Sequence, residues 1–503
     1  MNSSDDARRA GRGLMSIAGA KVFFIITGYA VQLLLPRIFG EAKEFGLYSA
    51  AMSGVSIFNN VLIVATIQSV SKFVSEDEGN APVTLRQALR VQLLVGGVLA
   101  VTLFALAPAI SRVLLDGQLT PLLRIASGMV FAYGLYAAVV GSLNGRHLFG
   151  KQARLDITFS TLRTGGILAG AALGIGAVGA VIGFASAAAS ILSIALIWVG
   201  WGKPGKGIAL RRWIGFMAPI WTYQVCLNGI LLIDIQVLKR TATEIALIGA
   251  TSAQAAVDIA NQYVGYYRAA QTFAFVPYQL IISMTFIVFP MISKATSLGN
   301  RDAARSTIQH AMRLSLLLLL SVAAPISGAA EGVVRLAYPV DYVAGAPALA
   351  ILIFGITAFA LFAVAATAIS GAGQPSLAAG IAGVSLLAVV VANRLLIMRA
   401  GLGPETLGAA ATGTAIGMTV ALVGSALAVY YLFGVFIPVL TWIRAALAAC
   451  VGYAVAAAVP HSSPALALVA LVLGFAGTLG VLVVTRELSS SDWRALRRIV
   501  RRD

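Results

Sequence analysis

Three basic side chains lie inside long apolar stretches of the sequence, where a charge is costly unless it has a partner. They are Lys21, Arg163 and Arg268. A guanidinium presents a fixed fork of N–H donors that can bind two oxygens of a phosphate or carboxylate together, and an ammonium binds the same oxygens as a point charge. These residues therefore predict either sites for an anionic group or ion pairs with buried acids.

Arg268 is the first candidate for binding an anion. It lies in the segment VGYYRAAQTF, and Gln271 and Thr272, three and four residues further on, share its face of a helix. The alternative is an ion pair with Asp234, which lies in the preceding apolar stretch. Asp234 has an alternative of its own, since acidic groups inside transporters also couple transport to an ion or proton.

Lys21 and Arg163 each allow a functional and a structural interpretation. Lys21 shares a face with Gly28 and Gln32, which suits the wall of a polar cavity, although a lysine near a span end also reaches the interface by snorkelling. Arg163 is expected near mid-depth of its helix, with Asp156 on the same face. It either contacts a ligand or forms an arrangement with Asp156 within one helix.

Polar amides in the second and seventh apolar stretches are candidates for hydrogen bonds to hydroxyl groups of a ligand. Asn59 and Asn228 are the main ones, with Asn60 and Gln68 nearby in sequence. Hydrogen bonds between helices are the commoner use of such residues, so both interpretations stay open.

The sequence carries no pattern typical of an enzyme or a metal site. The three histidines lie far apart, Cys226 and Cys450 both fall in apolar stretches, and no HExxH, GxSxG or GxxxxGKS motif occurs. We therefore expect no catalytic residues, no metal and no cofactor.

The elements that position these residues must be membrane-spanning helices. Hydrophobic residues make up 59% of the chain and charged residues 11%, against about a quarter charged in soluble proteins. Apolar stretches of about 20 residues recur throughout, each long enough to span a bilayer as a helix. We count about fourteen spans, and the alternation expected of a membrane barrel is missing. The fifth and sixth spans are predicted at 153–173 and 177–200, the seventh at 213–238 and the eighth at 259–292, with Lys239 and Arg240 in the connection after the seventh.

The net charge of +17 is interpreted as a topology signal. Lys and Arg are concentrated in alternate connections and in the C-terminal tail, which places both termini in the cytoplasm by the positive-inside rule. No basic face is interleaved with aromatic residues, so we expect no nucleic-acid partner.

The two halves of the chain resemble each other when the second stretch is laid on the eighth. Tyr48-Ser49 then corresponds to Tyr267-Arg268, and further matches follow in the same order. The duplication predicts two pseudo-symmetric six-helix bundles. The predicted divisions are an N-terminal bundle at 1–202, a C-terminal bundle at 203–433, two further helices at 434–485 and a basic cytoplasmic tail at 486–503.

Several segments together resemble the polysaccharide transporters of the multidrug/oligosaccharidyl-lipid/polysaccharide flippase superfamily. They are LLLPRIFGEAKEFGLYSAAMS at Leu33–Ser53, SKFVSEDE at Ser71–Glu78, GSLNGRHLFGKQARLD at Gly141–Asp156, LIDIQVL around Asp234, and VGYYRAAQTFAFVPYQLIISMTFIVFPMISK at Val264–Lys294. The similarity covers nearly the whole chain. Each motif is loose by itself and specific only in combination.

The resemblance implies two facing bundles that work by alternating access in the bacterial cytoplasmic membrane. The implied substrate is a polyprenyl-pyrophosphate-linked oligosaccharide moved from the inner to the outer leaflet, for O-antigen, capsule or exopolysaccharide synthesis. Membrane lipids, a polysaccharide polymerase and glycosyltransferases are the implied partners. The first-span Ser-Arg and Gly-Phe-Val-Arg-Asp pattern of the lipid II flippase branch is missing, which argues against a peptidoglycan precursor.

Three alternatives remain on the sequence. A cation-coupled multidrug exporter would have the same architecture, but acids inside the spans are few. A lipid II flippase is the second. A membrane scaffold that transports nothing is the third, and it would depend on the basic tail rather than on charges inside the spans.

Overall fold

The computed structural model of the chain describes residues 3–281, 291–293 and 301–488, with side chains from residue 16 onward. Within these ranges the regular elements are helices, with no strand. The helices are α1 (Ser3–Phe39), α2 (Ala42–Glu76), α3 (Ala81–Val113), α4 (Leu119–Gly145), α5 (Phe149–Gly170), α6 (Gly176–Val199), α7 (Leu210–Gly249), α8 (Ala253–Ala274), α9 (Arg301–Gly328), α10 (Ala330–Ala337), α11 (Ala346–Gly371), α12 (Pro375–Ala400), α13 (Thr406–Phe433), α14 (Val439–Ala458) and α15 (Pro464–Val484).

The prediction of an all-helical polytopic membrane protein is confirmed. Twelve segments of the described residues are long and apolar enough to span a bilayer. One of them, Phe149–Val199, contains both α5 and α6 and so corresponds to two predicted spans. The predicted eighth span, 259–292, falls partly on α8 and partly outside the described residues. The predicted basic tail beyond Leu488 lies outside them.

The chain forms two compact units, Met1–Gly265 and Tyr266–Asp503. The first contains α1 to α7 and most of α8, and the second contains the remaining helices. The predicted division at residue 203 follows the sequence repeat and stays a prediction.

Facing glycines hold α5 directly against α6 in the first unit. A Cβ atom on Gly183 would lie 1.9 Å from the carbonyl oxygen of Gly166, and one on Gly179 would lie 2.1 Å from that of Gly170. Only glycine permits backbones to approach so closely, as at other contacts between membrane helices. This packing fixes the position of α5, which carries Asp156 and Arg163.

Helix α7 is longer than the sequence predicted. The predicted span ended at Leu238, before Lys239 and Arg240, but α7 continues to Gly249 and its 40 residues extend for about 60 Å. The prediction that these two cations lie in a loop is therefore wrong. Lys239 is accommodated inside the helix because it forms a buried ion pair, described below.

In the second unit α11 and α12 both pack against α13, and α14 and α15 pack against α9. A buried polar contact links α8, α12 and α13: the Tyr267 and Thr414 hydroxyls lie 3.2 Å apart, and Asn393 Nδ2 donates to Thr414 Oγ1 at 3.0 Å. The apolar stretches here are thus pinned by a few hydrogen bonds as well as by packing.

Candidate functional site

A polar face between α1 and α5 contains two of the three cations singled out from the sequence. Lys21 Nζ lies 3.4 Å from Asp156 Oδ2, and the Lys21 side chain is 59% exposed while that of Asp156 is 9% exposed. The ion pair therefore joins two helices and presents its ammonium outward. The prediction that Asp156 pairs with Arg163 within α5 is wrong, because Asp156 forms its ion pair with Lys21 of α1.

Hydroxyl groups continue this face along the two helices. The Thr27 and Ser160 hydroxyls form a hydrogen bond with each other, and Thr164 Oγ1 donates to the Thr27 carbonyl oxygen at 3.4 Å. Three hydroxyl side chains thus follow the Lys21–Asp156 pair between helices that are otherwise mostly apolar. Such a stripe is suited to solvate a charged group inside a membrane protein.

Arg163 lies on the same face, and its guanidinium is half-buried. Its central carbon lies 4.1 Å from the centre of the Phe24 ring, which is a cation–π contact. Gly28 lies beside it, and a Cβ there would contact Arg163 Nη2 at 3.4 Å, an ordinary van der Waals distance. Within the described part of the chain this guanidinium has no ion pair and no hydrogen bond, so its N–H donors remain available for an anion.

Arg268 and Gln271 are brought together on α8, as their spacing predicted. Arg268 Nη1 donates to Gln271 Oε1 at 2.6 Å, and Thr272 Oγ1 donates to the Arg268 carbonyl oxygen at 3.0 Å. Gln271 is buried and Arg268 is half-buried. The glutamine orients one edge of the guanidinium.

Asp234 is fully buried in α7, where its Oδ1 accepts the backbone N–H of Ile235 at 2.9 Å. It belongs to the first compact unit, whereas Arg268 belongs to the second. Their ion pair, and the coupling of Asp234 to an ion, both stay predictions.

The two candidate asparagines have different surroundings. Asn60 Nδ2 donates to Asn228 Oδ1 at 3.0 Å, and Asn228 Nδ2 donates to the Gln224 carbonyl oxygen at 2.9 Å, so Asn228 links α2 to α7. Asn59 is 4% exposed, and its Oδ1 has no hydrogen-bond partner among the described residues. Asn228 thus contributes to helix contact, and Asn59 keeps an acceptor unsatisfied.

A buried ion pair was missed by the sequence analysis. Lys239 Nζ lies 2.9 Å from Asp116 Oδ2, and neither side chain is exposed. Asn261 Nδ2 donates to the same carboxylate at 3.3 Å, and the Gln118 backbone N–H donates to its other oxygen at 2.9 Å. Asp116 lies in the short connection between α3 and α4. The only sequence signal for its burial is that this acid lies directly between two apolar stretches.

A second missed cluster surrounds Glu487, just after α15. Its carboxylate accepts from Arg313 Nε at 2.9 Å, Arg444 Nη1 at 3.0 Å and Thr441 Oγ1 at 2.7 Å. Burial by itself disfavours the charged form, but the hydrogen bonds and the arginine charges outweigh it and hold the pKa of Glu487 below its usual range. The cluster ties α9 and α14 to the end of α15.

Among the described residues no three His, Cys, Asp or Glu side chains are grouped as a metal site would require. The charged groups of the candidate face are instead suited to bind an anion or to pair with each other.

The pattern of the polysaccharide biosynthesis protein family matches residues 10–296, which is more than half of the chain. The chain belongs to this family. No curated protein matches it at a significant level. The matched residues include Lys21, Arg163 and Arg268.

Solved structures of transporters share the fold of this family member. A lipid II flippase MurJ in an inward closed conformation has a TM-score of 0.74 at 16% identity, over 94% of this chain and 99% of that one. An inward-facing multidrug resistance MATE transporter has a TM-score of 0.62 at 15% identity, over 82% and 98%. A MOP superfamily transporter from Pyrococcus furiosus has a TM-score of 0.58 at 14% identity, over 85% and 95%.

The family and these neighbours confirm the resemblance seen in the sequence. The named neighbours are transporters and a flippase, not enzymes, in agreement with the sequence prediction. At these identities the likeness establishes the fold of the chain and leaves its substrate to the site residues.

Proposed function

We propose that the protein is a flippase for polyprenyl-pyrophosphate-linked oligosaccharides, moving them from the inner to the outer leaflet of the bacterial cytoplasmic membrane by alternating access. Membership of the polysaccharide biosynthesis family supports a role in making a surface polysaccharide. The proposed products are O-antigen, capsule or exopolysaccharide. Glycosyltransferases supply the substrate and a polymerase consumes it, so they are the proposed protein partners, with membrane lipids around the chain.

The observation that carries this proposal is the Arg163 guanidinium on the α1–α5 face. A cation in a membrane-spanning helix is expensive, and here no acidic residue of the described chain compensates it. A pyrophosphate headgroup would compensate it, because its oxygens can accept the two parallel N–H bonds of the guanidinium fork. The substrate would thus provide the missing counter-charge.

Lys21 and Asp156 extend the same site. The exposed ammonium can turn from Asp156 toward a second phosphate oxygen, while Asp156 keeps Lys21 close to the face when no substrate is bound. The Thr27 and Ser160 hydroxyls lie between this pair and Arg163 along the helices and can donate to the remaining oxygens.

The other candidate residues have roles at a second location. Arg268, oriented by Gln271, is proposed to bind the headgroup at another stage of transport. Asn59, with its unsatisfied oxygen, and Asn228 are proposed to contact sugar hydroxyls. No cofactor or metal is needed for these contacts.

The experiment that tests this function is removal of the gene followed by analysis of polyprenyl-linked intermediates. The proposal expects one complete oligosaccharide unit on a polyprenyl pyrophosphate to accumulate in the inner leaflet, with loss of the surface polymer. Accumulation of lipid II instead would support the peptidoglycan alternative, and normal levels of both would contradict flipping of either.

A cation-coupled multidrug exporter is the second candidate, and the wholly buried carboxylate of Asp234 favours it. That function expects Asp234→Asn to abolish resistance to cationic drugs without altering surface polysaccharide. The flippase function expects any effect of Asp234→Asn to fall on polysaccharide export, with drug resistance unchanged.

A further inference from the structure

The segment that joins α6 to α7 is held against the first turns of α3. Lys203 N–H donates to the Pro82 carbonyl oxygen at 2.9 Å. Further along, Ile208 N–H donates to Gln87 Oε1 at 2.7 Å, and Gln87 Nε2 donates back to the Ile208 carbonyl oxygen. The Gln87 side chain therefore pairs with a backbone unit of the joining segment as a neighbouring strand would.

Glycine allows this segment to lie directly on α3. A Cβ on Gly202 would come within 2.2 Å of the Pro82 carbonyl oxygen, and Gly202 has a φ of +74°. Gly207 is similarly close to Gln87, with 2.3 Å from its hypothetical Cβ to Oε1. The segment therefore lies along α3 as a wall held by these contacts.

A cavity of about 200 Å³ lies between this wall and α3. Three cations line it: Arg86 and Arg90 from α3, and Lys203 from the joining segment. Within the described residues none of the three has an ion pair or a side-chain hydrogen bond. No acid lines the cavity.

The acids nearest in sequence already have partners of their own. Glu76 accepts from Arg212 at 2.9 Å, and Asp77 accepts from Asn80 at 2.7 Å. Glu78 faces His147 at 4.0 Å. The positive charge of the cavity is therefore left for a ligand from outside the chain.

Two tryptophans indicate the depth of the cavity relative to a bilayer. Trp198, at the end of α6, is 43% exposed, and Trp201, beside the cavity wall, is 67% exposed. Exposed tryptophans of membrane proteins concentrate at the level of the lipid headgroups. The cavity thus lies where headgroup phosphates are abundant.

We propose that the cavity between α3 and the α6–α7 joining segment binds a phosphate group, supplied by the headgroup of an anionic phospholipid. Arg86 and Arg90 face the phosphate from the helix, and Lys203 closes the site from the joining segment. The lipid would then brace the connection between the two sequence repeats against the membrane surface. This site is separate from the α1–α5 face and does not depend on the substrate proposed above.

Native mass spectrometry of the full chain, purified with mixed phosphatidylglycerol and phosphatidylcholine, tests the site. The wild type should retain phosphatidylglycerol preferentially. Arg86→Gln/Arg90→Gln should weaken its retention by roughly fivefold for each cation removed. The matched control is Lys151→Gln/Arg154→Gln, which removes two exposed cations outside the cavity and should retain the lipid like the wild type.

A second variant separates a built site from general attraction to charge. Gln87→Ala keeps every cation but releases the cavity wall, so it should also lose the preference for phosphatidylglycerol. If the arginine variant does not fold, Lys203→Gln replaces it as the charge variant, because Lys203 is exposed and its substitution should not disturb folding. Unchanged retention in either Gln87→Ala or both charge variants would overturn the proposal.

Inorganic phosphate distinguishes the source of the ligand. A phospholipid site should release little phosphatidylglycerol when phosphate is added, since the acyl chains keep the headgroup in place. Displacement of the lipid by phosphate in the wild type, and not in Arg86→Gln/Arg90→Gln, would assign the cavity to free phosphate and overturn the lipid assignment.

Discussion

Asp156 pairs with Lys21 of a neighbouring helix at 3.4 Å, and not with Arg163 two turns further along its own helix. The consequence is that the acid on this face neutralises the exposed lysine and leaves the half-buried arginine without a counter-ion in the described chain. The proposed role of Arg163 in binding a pyrophosphate follows from this lack of a counter-ion.

Arg163→Ala should reduce polysaccharide export by about ten- to a hundredfold, because charge-assisted hydrogen bonds to the headgroup contribute about 1.5–3 kcal/mol. Arg163→Lys should recover only part of it, since an ammonium lacks the fork. The measurement is surface polymer per cell at equal protein level. Stability should fall by about 1 kcal/mol or less, the value of the contact with Phe24. Full export by Arg163→Ala would refute the role, and Arg154→Ala is the matched control.

Arg268 and Gln271 should act as one unit, because the amide oxygen orients the guanidinium at 2.6 Å. Arg268→Ser and Gln271→Leu should each lower export, and the double variant should lower it by less than the product of the two effects. Export rates of the four proteins form the double-mutant cycle. Effects that multiply would show that the two residues act independently.

Lys239→Met should destabilise the protein by about 3–5 kcal/mol, because it leaves the Asp116 carboxylate buried without its counter-ion. Asp116→Leu/Lys239→Met should restore most of that stability, since it removes both charges together. Thermal unfolding of the purified chain is the measurement. Arg335→Met, which breaks an exposed pair with Glu331, is the control and should cost under about 1 kcal/mol. Equal midpoints for Lys239→Met and the control would contradict the buried pair.

Glu487 should make stability depend on pH in the acid range. Its pKa is lower in the folded chain than the usual value of about 4.5, so the folded state favours the carboxylate. The stabilisation is therefore fully present above pH 4.5 and is lost as the pH falls through the lower folded pKa. Glu487→Gln should be less stable than the wild type near neutral pH, and the difference should shrink on acidification. A difference that stays constant with pH would exclude this titration.

The sequence predicted the helices well because an apolar stretch in a bilayer must satisfy its backbone internally. It predicted the Arg268–Gln271 contact because residues three apart on a helix are neighbours. It missed the end of α7, since Lys239 and Arg240 look like the edge of a span when the burial of Asp116 is unknown. The Phe24 and Gly28 surroundings of Arg163 depend on how α1 crosses α5, which no local pattern encodes.

Flipping in reconstituted vesicles tests the central proposal most directly. A fluorescent oligosaccharide on a polyprenyl pyrophosphate is placed in vesicles with the wild type, with Arg163→Ala or with Arg154→Ala, and its exposure to an external reducing agent is followed. We expect translocation with the wild type and with Arg154→Ala, and loss of at least nine-tenths of the rate, about tenfold, with Arg163→Ala. Equal rates with all three proteins, or no translocation above protein-free vesicles, would contradict the proposal.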